Sequence, residues 1–187
     1  YFASPLICNS VLASAPEKVA WMNNKSIAII GFMGCGKSTV GRMVANELDV
    51  PFSDLDGEVE NISGMRIPEI FETQGEDSLR KYERLALSSL AVGGGVVATS
   101  GSCIMMPGNR RVLREAFVTV FLNTSFDVIY PRIAGTGRPL LKSMTPIELS
   151  KLLELRRKQY ADCADYTFDA ALPVQELCDL ILEDIVD

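Results

Sequence analysis

Short apolar runs alternate along the chain with stretches in which apolar residues recur at helical spacing. Residues 27–30, three isoleucines and an alanine, predict a buried strand at about 26–30. The helix expected next runs from Lys37 to Leu48, after which Asp49 and Pro51 turn the chain into a short strand at 51–54. A helix from about Gly57 to Ser63 follows, closed by Gly64. PEIFETQ then leads into EDSLRKYERLALSSL, where Leu79, Tyr82, Leu85 and Leu90 mark one face of a longer helix. A third strand is expected at 96–99, a helix opened by Pro107 to Glu115, and a fourth strand at 117–122. Ser125 suits the N-cap of a helix running towards Arg132. Pro146 opens a long helix, residues 166–169 read as the last strand, and Pro173 leads into a terminal helix.

Strands that alternate with helices predict an α/β fold, a parallel sheet covered on both faces. One helix between neighbouring strands is the norm, so three between the second and third strands suggest an inserted substrate-binding part at about 55–90. The stretch 134–145 carries two glycines, a proline and two cations, which suits a mobile lid at about 134–146. Residues 1–24 read as an N-terminal extension and 25–187 as one domain, with no internal repeats.

Composition narrows the chemistry. The net charge of −6 and pI near 4.8 argue against a general nucleic-acid partner, which needs a basic face to displace counterions. A few placed cations must therefore hold any anionic ligand. The chain has no histidine, and its five cysteines, at 8, 35, 103, 163 and 178, have no CxxC spacing, so zinc sites and histidine-dependent triads are not expected. A reducing, cytoplasmic compartment is the simple expectation. No run approaches the ~18 apolar residues of a membrane span. Residues 1–15 have a signal-like apolar content, but they lack a basic start and are interrupted by Pro5 and Asn9.

The candidate chemistry centres on GFMGCGKST, residues 31–39, at the junction of the first strand and helix. Gly31, Gly36, Lys37 and Ser38 satisfy GxxxxGKS. Glycines there let successive N–H groups, among them those of Gly34, Cys35, Gly36 and Thr39, face one concavity, and the helix start adds its positive dipole end. Lys37 would reach the β- and γ-phosphates and the Ser38 hydroxyl would ligate Mg²⁺. An ordinary glycine turn gives no reason for Lys-Ser at that spot.

A phosphate loop alone leaves GTPases, motor ATPases and small-molecule kinases open. The acidic pair Asp54 and Asp56, on one side of the chain if it is extended, narrows the choice. One carboxylate can complete the Mg²⁺ shell while the other accepts a hydrogen bond from the attacking hydroxyl. Arg80, with Glu83 three residues on, and Arg156 are cations suited to a carboxylate on the acceptor. Arg138, in the lid, could close over the phosphates. The plain alternatives are surface acids at a strand end, a surface ion pair, and a solvated loop arginine.

In this order the parts resemble the shikimate kinase family, from about residue 25 to the end. The resemblance rests on GFMGCGKSTVGR, DLD, EIF with Gly75-Glu76, RKYE, RPLL at 138–141, and Arg156 four before Tyr160. It implies a P-loop kinase fold with a five-stranded parallel sheet. It implies ATP-dependent phosphorylation of the 3-hydroxyl of shikimate, on the route to aromatic amino acids, with ATP, shikimate and Mg²⁺ as ligands, by a monomer without nucleic-acid or membrane partners. By that resemblance Asp56, Arg80 and Arg156 hold the substrate, Phe71 lines its pocket, and Asp54 belongs to the Mg²⁺ shell. Arg138 is the lid arginine and Arg132 lies near the adenine.

The family carries three glycines where backbone N–H groups meet the substrate. Gly93, Gly94 and Gly95 invite that role, yet assigning it to them leaves too little chain before the strand and forces an insertion before PGNRR. Placing it at Ser100-Gly101-Ser102 removes both gaps, with Gly101 keeping the central glycine. Leu79 also stands where phenylalanine is usual. The rival expectations are a P-loop kinase for another small hydroxylated acid or sugar, and a non-catalytic nucleotide-dependent binding domain.

Overall fold

The structure, a computed structural model, describes residues 25–136, 141 and 143–186. The expected extension 1–24 and most of the lid's tip, Arg138 included, lie outside the described residues. Five strands form one sheet in the order β2-β3-β1-β4-β5, every neighbouring pair parallel. They are β1 (Ser26–Ile30), β2 (Phe52–Asp54), β3 (Val96–Ala98), β4 (Phe117–Asn123) and β5 (Tyr166–Asp169). β1 lies at the centre with all five residues buried, as expected of a strand covered on both faces.

Alternation along β1 splits its side chains between two cores. Ile27 and Ile29 face helix α1 (Lys37–Leu48) and the terminal helix α7 (Val174–Val186), where Val44, Leu48, Leu177 and Ile181 complete the packing. Ala28 and Ile30 face the other way. There they meet Leu55 and Val59 of α2 (Leu55–Ser63), Ile70 and Leu87 of α3 (Ile67–Leu90), Leu113 of α4 (Pro107–Ala116), Ile129 of α5 (Phe126–Ile133), and Leu153 and Tyr160 of α6 (Pro146–Ala161). The parallel sheet with helices on both faces is the architecture that the alternating pattern predicts.

Local differences have local causes. α2 begins at Leu55, two residues before Gly57, because Asp54 caps it: its backbone is extended (φ −106°, ψ 126°) and its carboxylate accepts the N–H of Asp56 at 3.1 Å. Asp54 and Asp56 are therefore not two residues of one extended strand, since the first ends β2 and the second lies in the first turn of α2. The two helical stretches expected at 68–74 and 76–90 run on as α3, broken at Gly75, whose φ of 79° and ψ of 174° are non-helical. Ser125 occupies the N-cap position of α5, but its side chain makes no capping bond. α6 starts with a full capping box, in which the Thr145 hydroxyl accepts the Glu148 N–H and Glu148 accepts the Thr145 N–H.

The stretch 93–95 is the turn into β3, and the Gly95 carbonyl accepts the Ile27 N–H at 2.9 Å. Ser100-Gly101-Ser102 follows β3 at the C-terminal edge of the sheet, on the same side as the loop after β1. Among the described residues no helix is long and apolar enough to cross a membrane.

Candidate active site

In a parallel sheet a crevice opens where the connections from one strand diverge to either side. β1 is that strand here, flanked by β3 and β4. The loop after it opens a cavity of about 640 Å³ lined by residues 33–40 of the loop and α1, by Asp54 and Asp56, by Thr99, Ser100 and Gly101, and by Arg132. Ala170, Leu172, Val174 and Leu177 form a further wall after β5. Residue-by-residue reading of the sequence missed this apolar wall. Its one signal was Pro173, which places a loop and a helix start after the last strand.

The start of α1 is built for an anion. Gly36 holds the N-cap position at φ 104°, a left-handed value that a side chain would strain. It supplies no side-chain cap, and the first turn carries no acidic residue, so the turn's N–H groups are left for phosphate oxygens. Gly34, at φ 77°, has the Ile133 methyl group 2.5 Å from where a Cβ would sit, which lets α5 close against the loop. From α5, Arg132 donates to the Gly34 carbonyl at 3.4 Å. Cys35 is buried among core residues and also lines the cavity. Thr39 is exposed at the mouth.

Lys37 folds back on the loop, its ammonium donating to the carbonyls of Gly31 (3.0 Å) and Phe32 (2.9 Å). Ser38 donates to Asp54 Oδ2 at 2.9 Å. The loop's hydroxyl and the carboxylate ending β2 are thus adjacent, a pair of hard oxygens. Asp56, exposed on the first turn of α2, lines the same cavity.

Across the crevice, α3 presents Arg80 on the face it shares with Glu76 and Glu83. Arg80 Nη1 donates to Glu83 Oε2 at 2.7 Å and to Ser102 Oγ at 3.1 Å, and Nη2 donates to Glu76 Oε1 at 2.8 Å. Glu83 is 3% exposed, yet both its oxygens are engaged, since Ser100 donates to Oε1 at 2.8 Å. Burial and these acidic partners act in opposite directions on Arg80, and its proton is held more tightly than in water. From α6, Arg156 Nη1 and the Tyr160 hydroxyl donate to the Gly101 carbonyl at 3.3 and 2.5 Å. Tyr160 is fully buried, and desolvation pushes its ionisation well up, so it remains a donor.

The structure therefore gathers Lys37, Ser38, Asp54, Asp56 and Gly101 around one cavity, and ties Arg80 and Arg156 to the segment at its edge. Phe71 stands apart: it is 53% exposed and outside the cavity's lining. Leu79 is buried in the core shared by α2, α3 and α6. Arg138 lies outside the described residues.

A phosphate loop at the switch point of a five-stranded parallel sheet, with a carboxylate pair beside it and arginines opposite, defines a P-loop small-molecule kinase. A family model described as shikimate kinase matches residues 33–186. A shikimate kinase of Geobacter sulfurreducens is 45% identical over 152 residues, 80% of this chain and 83% of that protein. Among solved structures, shikimate kinase from Acinetobacter baumannii in complex with shikimate superposes with a TM-score of 0.80 at 33% identity, covering 92% of this chain and all of that one. Shikimate kinase from Aquifex aeolicus gives 0.74 at 37% identity over 84% of this chain and 94% of its own. The chain belongs to the shikimate kinase family. It is a small-molecule kinase that phosphorylates shikimate with ATP as the phosphate source.

Proposed function

We propose that transfer goes from ATP bound on the loop 31–39 to the 3-hydroxyl of shikimate held between α2, α3 and the segment 100–102. The observation that carries this reading is the attachment of both Arg80 and Arg156 to Ser100-Gly101-Ser102, beside the phosphate loop. Two guanidinium groups so placed suit a carboxylate, which neutral sugars lack. The first-turn N–H groups of α1 would cradle the phosphates, and Lys37 would leave its two carbonyls to meet the β- and γ-oxygens. Arg132 and the wall at 170–177 would hold the adenine, with Arg132 lying over the loop. In this reading 55–90 is the acceptor-binding part and 134–146 the lid, with Arg138 closing on the phosphates.

Asp56 would accept the hydrogen bond of the attacking hydroxyl, orient it towards the γ-phosphorus, and take its proton as the bond forms. Most of the rate would come from positioning and charge neutralisation. Ser38 Oγ and Asp54 Oδ2 fit Mg²⁺: both are hard oxygens, and two protein ligands suit an ion that otherwise keeps water and phosphate. Bound there, Mg²⁺ would neutralise phosphate charge. Lid closure would exclude water and so limit idle hydrolysis of ATP.

The test is ADP release in the presence of shikimate, gluconate and quinate, with ³¹P spectra to locate the new phosphate ester. Shikimate is expected to be turned over at its 3-hydroxyl. Turnover of another acid with none of shikimate would overturn the acceptor assignment.

A further inference from the structure

We infer that Ser100 and Ser102 form a hydroxyl clamp that fixes Arg80 for its ligand through the buried Glu83, a positioning role outside the phosphate loop and the acidic pair. The inference rests on the acceptor assignment above. Four groups close a ring: Ser100 Oγ to Glu83 Oε1, Glu83 Oε2 to Arg80 Nη1, and Arg80 Nη1 to Ser102 Oγ, at 2.8, 2.7 and 3.1 Å. The peptide of Gly101 completes it. Glycine at either serine position would open the ring.

A carboxylate as buried as Glu83 is stable only if its oxygens are paired, and Ser100 is the partner of Oε1. Without that hydroxyl Glu83 must turn, and its grip on Arg80 turns with it. Counting donors shows what the clamp leaves over. A guanidinium carries five N–H groups, and both on Nη1 are spent on Glu83 and Ser102. Among the described residues, Nη2 spends one on Glu76, whose side chain is 60% exposed and so makes the kind of surface pair that yields easily. The Nε–Nη2 edge thus remains as the fork that fits a carboxylate side-on.

The segment does a second thing. Its Gly101 carbonyl holds Arg156 and Tyr160, and a Cβ at Gly101 would sit 3.4 Å from the Met33 backbone nitrogen. Three residues therefore bond to α3 and α6 and pass close beside the phosphate loop. The spacing between the two arginines, and their distance from the phosphate loop, is set by one short piece of chain.

The experiment compares Ser100→Ala, Ser102→Ala, the double variant and Ser100→Thr with the wild-type chain. It reads kcat, both KM values, and binding of shikimate and its carboxamide analogue by calorimetry. The double variant is expected to raise KM for shikimate by about tenfold, the scale of a lost hydrogen bond to a charged group. KM for ATP should stay unchanged and kcat should move by less than about twofold, because uniform binding and not the transition state is affected. Binding of the carboxamide should be the same in wild type and variant, and Ser100→Thr, which keeps the hydroxyl, should restore the wild-type KM. Unchanged KM in the double variant, or equal loss for shikimate and carboxamide, would overturn the clamp. A wild-type chain that leaves shikimate untouched would overturn the acceptor assignment instead.

Discussion

Ser38 and Asp54 meet at 2.9 Å, one from the phosphate loop and one from the end of β2, while the other oxygen of Asp54 caps α2. A single carboxylate thus joins the phosphate-loop side of the cavity to the helix that carries Asp56. Asp54→Asn is expected to raise the Mg²⁺ concentration for half-maximal activity by about 10–100-fold, the range seen when a metal's supporting groups are lost. Asn caps a helix about as well as Asp, so α2 and the Tm should change little. A magnesium titration of initial rate, beside the Tm, measures both.

Asp56 sits in the first turn of α2 and lines the cavity. Asp56→Asn keeps the shape and removes the proposed proton acceptor. It is expected to lower kcat by about 10²–10⁴-fold, with the Kd for ATP unchanged. Calorimetric ATP binding together with single-turnover rates checks this, and an unaltered rate would remove Asp56 from proton transfer.

Arg156 approaches the site from α6, far in sequence from Arg80. Arg156→Ala should weaken shikimate binding by about 10–100-fold, the scale of a hydrogen bond to a charged group, and leave ATP affinity in place. Tyr160 still anchors the Gly101 carbonyl in that variant, so the loss should appear in KM for shikimate and little in Tm.

The strands, the helices and the phosphate loop could be read from the sequence because each is encoded over a few consecutive residues, by alternation, helical spacing or glycine placement. The place of Gly93, Gly94 and Gly95 before β3 and of Ser100-Gly101-Ser102 after it was also legible, from the chain length needed on either side. The capping of α2 was not. DLD reads equally as strand or as cap plus helix, and only the position of Ser38 against Asp54 decides it. The wall at 170–177 and the ring through Glu83 stayed hidden for a different reason: both depend on residues brought together from separate elements, and no short-range pattern records that.

Gly75 occupies φ 79°, ψ 174°, a region that is essentially glycine's alone, and a Cβ there would meet nothing within 4 Å. The cost of Gly75→Ala is therefore backbone strain and not crowding, about 1–3 kcal/mol. Two outcomes are expected together: a lower Tm, and a KM for shikimate little changed, because the exposed Glu76 yields its pair with Arg80 easily. Thermal unfolding and steady-state kinetics on the same preparation test the pairing.

Cys178, fully buried on α7 against α1, has its thiol pushed from an ordinary 9.0 up to about 11 by desolvation, with Glu47 and Asp179 adding to the shift. The folded state holds this proton more tightly than the unfolded chain does. Its contribution is therefore complete below pH 9 and is lost as pH rises through about 11. Tyr160, also raised by burial, adds a similar decline from its ordinary value of 10.0 upward. Tm should fall between pH 9 and 11, and Cys178→Ala should flatten the first part of that fall.

The central place of β1 bears on how the molecule is made. Its hydrogen-bonding partners are β3 and β4, some 70 and 90 residues later in the chain. The phosphate loop precedes both of these strands in the chain, and the cavity walls at Thr99, Ser100, Gly101 and Arg132 follow them, so those walls form only once β3 and β4 have docked. Such long-range pairing is slow to form. Nucleotide therefore meets its complete site, and stabilises the chain through all of it, only after that docking.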